Sequence, residues 1–539
     1  MTVDSQTNVR GPFGAADASR EDPRDASASF IDFAGAGGIA TRHDDLRARV
    51  IVGRKGAGKT LYLRRARTHA ADTGELYADD IQQNLPTTSD IVAVANCYPL
   101  GVLTEKWMAI WRCAILRSLA SHMLRNERLE SKLSERDQEL LTEGFGEVLG
   151  HAATSITPLS VYSQVRDIIN DGPINAERLN RQVSHRQWEE LEYKLGELLS
   201  RYPAICFYLD AVDEEFRHAP AYWMMCQKGL FYQVMRLLRD TRLGGRLHVF
   251  ISIRDHVYTS VFGSEHATRY LDPVFIRLLE WDSESIGYFL EEKVRRLPLR
   301  WHSGGDSTVG TWLGVTGIYN ERRRVTESPA RYLLRHTRLL PRDIVVLGNQ
   351  LCERMRTRDG SVRPLTDTEI RQVVHHCARV FGREQLAICA NQIAADMMHE
   401  GAALQEISDI YTASDSSFTG ADVYQEDVRS KLEKFICSIG RDRFSRETFS
   451  RASEQGSELF DGHTDVMAVL WQNGLLGQVP AELKDDGRAI FYSAASHHEL
   501  RIDDAAGTYA LHPCLIDALD LKSEGAGSNP IVPVSSYEI

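Results

Sequence analysis

The run Gly53-Arg54-Lys55-Gly56-Ala57-Gly58-Lys59-Thr60 fits the spacing G-x-x-x-x-G-K-[ST] without a mismatch. Apolar Val50, Ile51 and Val52 precede it as a short buried strand, and Leu61-Tyr62-Leu63-Arg64-Arg65-Ala66 opens a helix after it. Glycines let backbone N–H groups curl around phosphate oxygens, and the helix N-terminus adds a favourable dipole. Lys59 is then placed to reach the β/γ-phosphates, and the Thr60 hydroxyl to ligate Mg²⁺. Gly53 through Leu61 therefore reads as a binding stretch for a nucleoside triphosphate.

Downstream, short apolar runs alternate with amphipathic helices, which predicts an α/β fold: a parallel sheet with helices on both faces. Expected strands are Val50–Val52, Ile91–Ala95, Ala204–Leu209, Leu247–Ile253 and Val274–Leu278, each nearly continuous in apolar residues, as strands buried on both faces are. Trp188 to Tyr202 reads as a helix leading into the third strand, and Asp282-Ser283-Glu284 as the capped start of a helix over Ile286–Leu297.

The expected organisation is a disordered tail (1–29), a phosphate-loop domain (30–297) with a helical insertion near 119–180, a helical lid (298–427), a winged-helix domain (428–525) and a flexible end (526–539). Pro298 to Pro329 is Gly- and Arg-rich and reads as loops, Ala330 to His399 as helices, and Thr412–Gly420 as a linker. The last module shows helices at Val428–Ile439, Glu447–Glu454 and Asp465–Asn473. Strands around Ile490–Ser493 and Thr508–Leu511 follow as a hairpin, then a helix over Pro513–Leu519.

At 539 residues the chain exceeds the size at which single cores stop growing, about 250–300 residues. The formal charge of −12 argues against a general nucleic-acid coat. Nine cysteines form no C-x-x-C pair and lie partly in apolar runs, which reads as reduced thiols in a cytoplasmic protein. His375-His376-Cys377 with Cys389 lacks a second ligand pair at zinc spacing and reads as chance clustering on a helix. No apolar run reaches membrane-span length.

A phosphate loop needs a carboxylate for its magnesium at the end of a buried neighbouring strand. Ile205-Cys206-Phe207-Tyr208-Leu209-Asp210 supplies Asp210, which with Thr60 forms the expected metal pair. Asp213 and Glu214 follow, and Glu214 is the candidate to polarise an attacking water. Arg254, at the end of the next strand, offers a planar charged fork to a γ-phosphate, or a salt bridge to Asp255 or the acidic loop. Pro341 and Arg342 begin a helix. If this module folds back over the nucleotide, Arg342 is the candidate to reach phosphate and Pro341 to brace the base; otherwise this is an ordinary helix start with a solvated Arg. His512, before Pro513, either reports on the β-phosphate or caps the winged-helix core.

Leu209-Asp210-Ala211-Val212-Asp213-Glu214, the Arg254 strand end, Leu340-Pro341-Arg342 and Leu511-His512-Pro513 together resemble the STAND class of P-loop ATPases, relatives of the AAA+ proteins. Gly53-Arg54-Lys55-Gly56, Ile253-Arg254-Asp255, Arg277 to Asp282 and His336 to Asp343 are similar to strings in a bacterial P-loop ATPase family often encoded near phage-defence genes. The resemblance spans roughly Phe30 to Leu521 and implies adenine selectivity, with lid and winged helix closed over ADP and released with ATP. Ala211 departs from the AAA+ pattern, where Glu usually follows the metal Asp, so slow turnover is expected. STAND proteins usually carry a repeat sensor and often an effector domain, which here are expected from another protein or from the insertion.

These readings converge on a cytoplasmic ATPase switch using ATP and Mg²⁺, whose nucleotide state controls oligomerisation or recruitment of a separately encoded partner in defence or signalling. The alternative is an initiator- or transposition-helper-like ATPase that sets its winged helix on duplex DNA through Arg441, Arg443, Arg446 and Arg451. The acidic residues of that module, Asp461, Asp465, Asp485, Asp486, Glu499, Asp503 and Asp504, favour the first reading.

Overall fold

Val50, Ile51 and Val52 are stiff, β-branched and buried, and they form strand β1 (Val50–Val52) at the heart of a parallel sheet. The computed structural model describes residues 11–17, 31, 49–73, 76–80, 86–126, 133–202, 204–210, 220–239, 241–243, 245–262, 274–303, 306–321, 324–401, 420–455, 465–480, 488–492, 502, 507–522 and 532–534. With β2 (Leu76–Asp80), β3 (Ala204–Asp210), β4 (Leu247–Ile253) and β5 (Ile276–Leu278) it gives the order β2-β3-β4-β1-β5, every neighbouring pair parallel. Alternation along the strands supplies two apolar faces. Val50, Val52, Phe207, Leu209, Val249 and Ile251 enter one core, while Ile51, Cys206, Tyr208 and Phe250 enter the other.

Helices cover both faces. The helix α1 (Lys59–Thr73) sends Tyr62 and Leu63 to the second core. On the first lie α2 (Thr88–Ala95), α3 (Leu100–Arg125), α4 (Val161–Asn170), α5 (Ala176–Val183), α6 (Gln187–Leu199) and α7 (Pro220–Arg239), with several one-turn helices between Glu135 and Thr154. The Trp111 indole on α3 donates to the Cys226 carbonyl on α7 at 3.0 Å. The expected insertion at 119–180 is thus part of a larger helical body that begins by Leu100 and shares the sheet's core.

Ile91–Ala95, expected as a strand, is helical. Thr87 and Asp90 form a reciprocal capping box that satisfies the first N–H groups of α2 and overrides the β preference of its Ile and Val residues. The strand in its place is Leu76–Asp80, whose Ala-Asp-Asp ending hides it from an apolar-run search.

After α8 (Asp255–Phe262) and β5, the helix α9 (Ser283–Arg295) starts at the expected Asp282 cap, with Ser285 N–H donating to its carboxylate at 2.7 Å. The segment expected as loops contains a 3₁₀ turn at Leu299–Trp301, α10 (Val309–Leu313) and a two-stranded hairpin, β6 (Ile318–Asn320) with β7 (Val325–Glu327). Then come α11 (Pro329–Arg335), α12 (Pro341–Met355) and α13 (Asp367–Gly401). The linker expected at Thr412–Gly420 lies outside the described residues, except for Gly420 at the start of the next helix.

The C-terminal module holds α14 (Gly420–Ile439), β8 (Arg443–Ser445), α15 (Arg446–Gln455), α16 (Val466–Gln472), β9 (Leu476–Gln478), β10 (Arg488–Phe491), β11 (Thr508–Leu511), α17 (Pro513–Leu519) and β12 (Val532–Val534). Its sheet order is β12-β10-β9-β11-β8. The two strands expected to pair as a hairpin, β10 and β11, are separated by β9, which pairs antiparallel with both. One apolar cluster joins this module to helices α9–α13.

Phe13 belongs to the same cluster, 1% exposed. Its ring lies 5.0 Å from that of Trp312, and its N–H donates to Asn349 Oδ1 at 2.9 Å. The expected disordered tail therefore has a docked anchor, formed by a single large apolar residue in a stretch otherwise too polar to suggest it.

Candidate functional site

Asp210 ends β3 directly opposite Ser252 of β4, and β4 separates β3 from the strand that feeds the loop. This register brings the loop and the carboxylate together at the carboxyl edge of the sheet, where open α/β folds collect ligands. The Thr60 hydroxyl donates to Asp210 Oδ2 and the Ser252 hydroxyl to Oδ1. Tyr162, from α4, donates its hydroxyl to the Asp210 carbonyl at 2.7 Å. Asp210 is 8% exposed, so the Thr60 and Ser252 hydroxyls meet the need of a buried carboxylate for hydrogen bonds.

The loop reverses at Gly56 (φ 90°) and Gly58 (φ 97°), backbone that side chains with a Cβ rarely adopt. The Lys59 ammonium is buried and donates to the carbonyls of Gly53 at 2.9 Å and Arg54 at 3.0 Å. Trp281, beyond β5, donates its indole N–H to the Ala57 carbonyl at 3.0 Å. The Arg342 N–H at the start of α12 donates to the Gly56 carbonyl at 3.3 Å. The loop is thus held by both the sheet and the helical segment that follows it.

Arg54 reaches away from the sheet into the C-terminal module. Its guanidinium meets Asp255 Oδ2 at 3.3 Å, donates to the Tyr492 carbonyl and lies 5.8 Å from the Tyr492 ring centre. The Tyr492 hydroxyl shares a 2.6 Å hydrogen bond with Thr259. Burial tends to raise the Asp255 pKa, but hydrogen bonding from His256 and the charges of Arg54, His256 and Lys59 outweigh it and hold the carboxyl well below its usual range. Gly474 (φ 68°) lies under the same guanidinium, where an added Cβ would come 2.6 Å from Arg54 Nη1. Gly474→Ala is expected to cost about 1–2 kcal/mol in backbone conformation alone. It should also loosen the Arg54 contact, read as a lower thermal midpoint and faster hydrogen exchange around residues 53–56.

Between the start of the loop and the C-terminal module lies a cleft of about 140 Å³. Gly53, Arg54, Arg254, Trp281, Tyr492 and His512 line it. Arg254 stacks over Trp223 at 5.5 Å; Asp255, one of its two expected ion-pair partners, pairs with Arg54, and the acidic loop, the other, lies outside the described residues. Leu339 and Leu340 border the cleft; Pro341 and Arg342 are not among its lining, and the Arg342 N–H meets the loop at Gly56. Thr60, Ser252 and Asp210 form a separate polar cluster at the far end of the loop, while the Lys59 ammonium turns back to the Gly53 and Arg54 carbonyls. Asp213 and Glu214 lie outside the described residues. Of the arginines considered for DNA, Arg443 is buried in β8 at 7% exposure and unavailable to a phosphate backbone, whereas Arg441, Arg446 and Arg451 are exposed. Tyr162, Gly474 and Tyr492 come from segments with no motif of their own, whereas Ser252 and Trp281 stand inside strings legible in the sequence, with no role assigned to them there.

His512 caps α17: its Nδ1 accepts from the Cys514 N–H at 3.2 Å, and its ring packs 5.1 Å from that of Phe491. Burial first, then the charges of Arg338 and Arg54, push its pKa down to about 3, with Asp517 opposing weakly. His248, buried beside Arg49, is likewise pushed down to about 3. Both rings stay neutral in the fold, while the unfolded chain binds protons below about pH 6.5. Their contribution is therefore intact above pH 7 and is lost as pH falls from about 6.5 towards 3. Each should cost about 2 kcal/mol between pH 7 and pH 5. Thermal midpoints across that range should fall, with a shallower slope in His512→Gln.

No protein-family model matches the chain, and no curated protein or solved structure matches it. No helix among the described residues is long and apolar enough to cross a membrane.

Proposed function

We propose that the chain is an ATP-binding, slowly hydrolysing switch whose nucleotide state controls oligomerisation or recruitment of a partner. The observation that carries this is the convergence of the Thr60 and Ser252 hydroxyls on the Asp210 carboxylate, beside a glycine loop whose own Lys59 ammonium is buried against the Gly53 and Arg54 carbonyls. Two hydroxyls around one buried carboxylate, beside a buried ammonium, are the donor set that a magnesium triphosphate requires. Thr60 and Asp210 would hold the magnesium, which neutralises phosphate charge when bound. Lys59 would exchange its loop carbonyls for phosphate oxygens.

On this reading residues 298–427 act as a lid and the C-terminal module as a winged helix, both closed over the loop. Arg342 and Arg54 give them direct contact with it. A ligand shifts such a closed arrangement only by contacting its two states differently. Phosphate oxygens at the loop would compete with the contacts that Arg54 and Lys59 now make, which supplies the difference. The STAND-like strings support the same mechanism, and a role in bacterial defence rests on that resemblance alone.

The test is size against nucleotide. Light scattering with Mg²⁺·ATP and with Mg²⁺·ADP, at several protein concentrations and with a bait partner from the same locus, should show a larger species with ATP. Identical mass and identical partner capture in both nucleotides would overturn the switch.

A further inference from the structure

Cys377 and Cys389, weighed with His375 as a chance cluster, are buried in the apolar core, but His375 meets two residues from distant parts of the chain. His336 follows α11, His375 lies on α13 and Asp517 on α17 of the C-terminal module. Asp517 Oδ2 stands 2.5 Å from His336 Nδ1, and Oδ1 stands 3.1 Å from His375 Nδ1. One potential ligand atom from each residue lies within 4.8 Å of the others.

We propose that His336, His375 and Asp517 bind one divalent transition-metal ion of the zinc class, which clasps the C-terminal module to helices α11 and α13. Two imidazoles and a carboxylate suit a borderline-soft ion, whereas magnesium and calcium favour all-oxygen sets. His375 carries an outer-shell partner in the usual place: with Nδ1 turned to the carboxylate, its Nε2 lies 3.4 Å from the Tyr332 hydroxyl.

Nearby cations are already engaged. Arg335 is forked onto Glu327 at 2.8 and 3.0 Å, Arg371 pairs with Glu321 and Asp367, and Arg379 donates to the Asp517 carbonyl at 3.2 Å. The Asp517 carboxylate therefore faces the imidazoles. His336 and Asp517 are buried, while the His375 side chain is 34% exposed and leaves a route from solvent.

The experiment uses the untagged full chain, stripped by a chelator and titrated with Co²⁺ under excess Mg²⁺ and without nucleotide. One Co²⁺ per chain should bind with a visible ligand-field band, Zn²⁺ should displace it, and Zn²⁺ should raise the thermal midpoint. His375→Ala, at the exposed corner, should fold yet lose that equivalent and its thermal response. Tyr332→Phe should weaken binding about 10-fold, the lower end of outer-shell effects. Absence of a tight Co²⁺ equivalent in the wild type, or an unchanged band and affinity in His375→Ala, would leave the trio as a hydrogen-bonded contact and overturn the proposal. Neither result depends on the phosphate loop.

Discussion

Lys59→Ala is expected to weaken Mg²⁺·ATP binding by about 10²–10⁴-fold while leaving the fold unchanged. The ammonium would donate to phosphate through charge-assisted hydrogen bonds, each of about 1.5–3 kcal/mol, and two such bonds account for the range. The fold should survive because Lys59 presently donates to carbonyls of its own loop, at Gly53 and Arg54. Those carbonyls can turn to water once the side chain is gone. Calorimetric titration with Mg²⁺·ATP, paired with circular dichroism melting, reads both halves. Affinity equal to wild type would remove the loop from the binding site altogether.

The second large effect concerns stability. Asp343→Ala should destabilise the helical and C-terminal half by about 3–5 kcal/mol, the cost of stripping a buried charge of its partner. Asp343 is fully buried and accepts from the Arg338 backbone N–H at 2.9 Å, from Nε at 2.9 Å and from Nη2 at 2.6 Å. Without it Arg338 keeps Gln385 at 3.1 Å and Glu384 at 3.6 Å, one neutral and the other half-exposed. The double change Arg338→Met with Asp343→Leu removes both charges and should recover much of the loss. Chemical denaturation followed by tryptophan fluorescence compares the variants. A single variant no less stable than the double one would refute the account.

The loop, its strand and the Asp210 strand were legible because each packs its signal into a few adjacent residues. Apolar runs at 204–209 and 247–253 read as strands buried on both faces, and they are. The same rule misplaced Ile91–Ala95, where a Thr87–Asp90 cap three residues apart held the contrary signal. Leu76–Asp80 borrows its place from β3 rather than from its own composition. Contacts across the chain leave no trace in local pattern. Arg54 and Tyr492 stand 438 positions apart, and His336 and Asp517 stand 181 apart. Nothing in either neighbourhood names the other, because long-range partners are chosen by the packing of whole elements.

The Tyr162 hydroxyl on the Asp210 carbonyl gives the helical body a strut into the strand end that carries the site aspartate. A partner that gripped the outer surface of that body and tilted α4 would pull on this strut. The aspartate would then shift against Thr60 with no change in the loop itself. On the proposed reading, such a strut would let a distant contact adjust the hold on a phosphate tail without ever touching it.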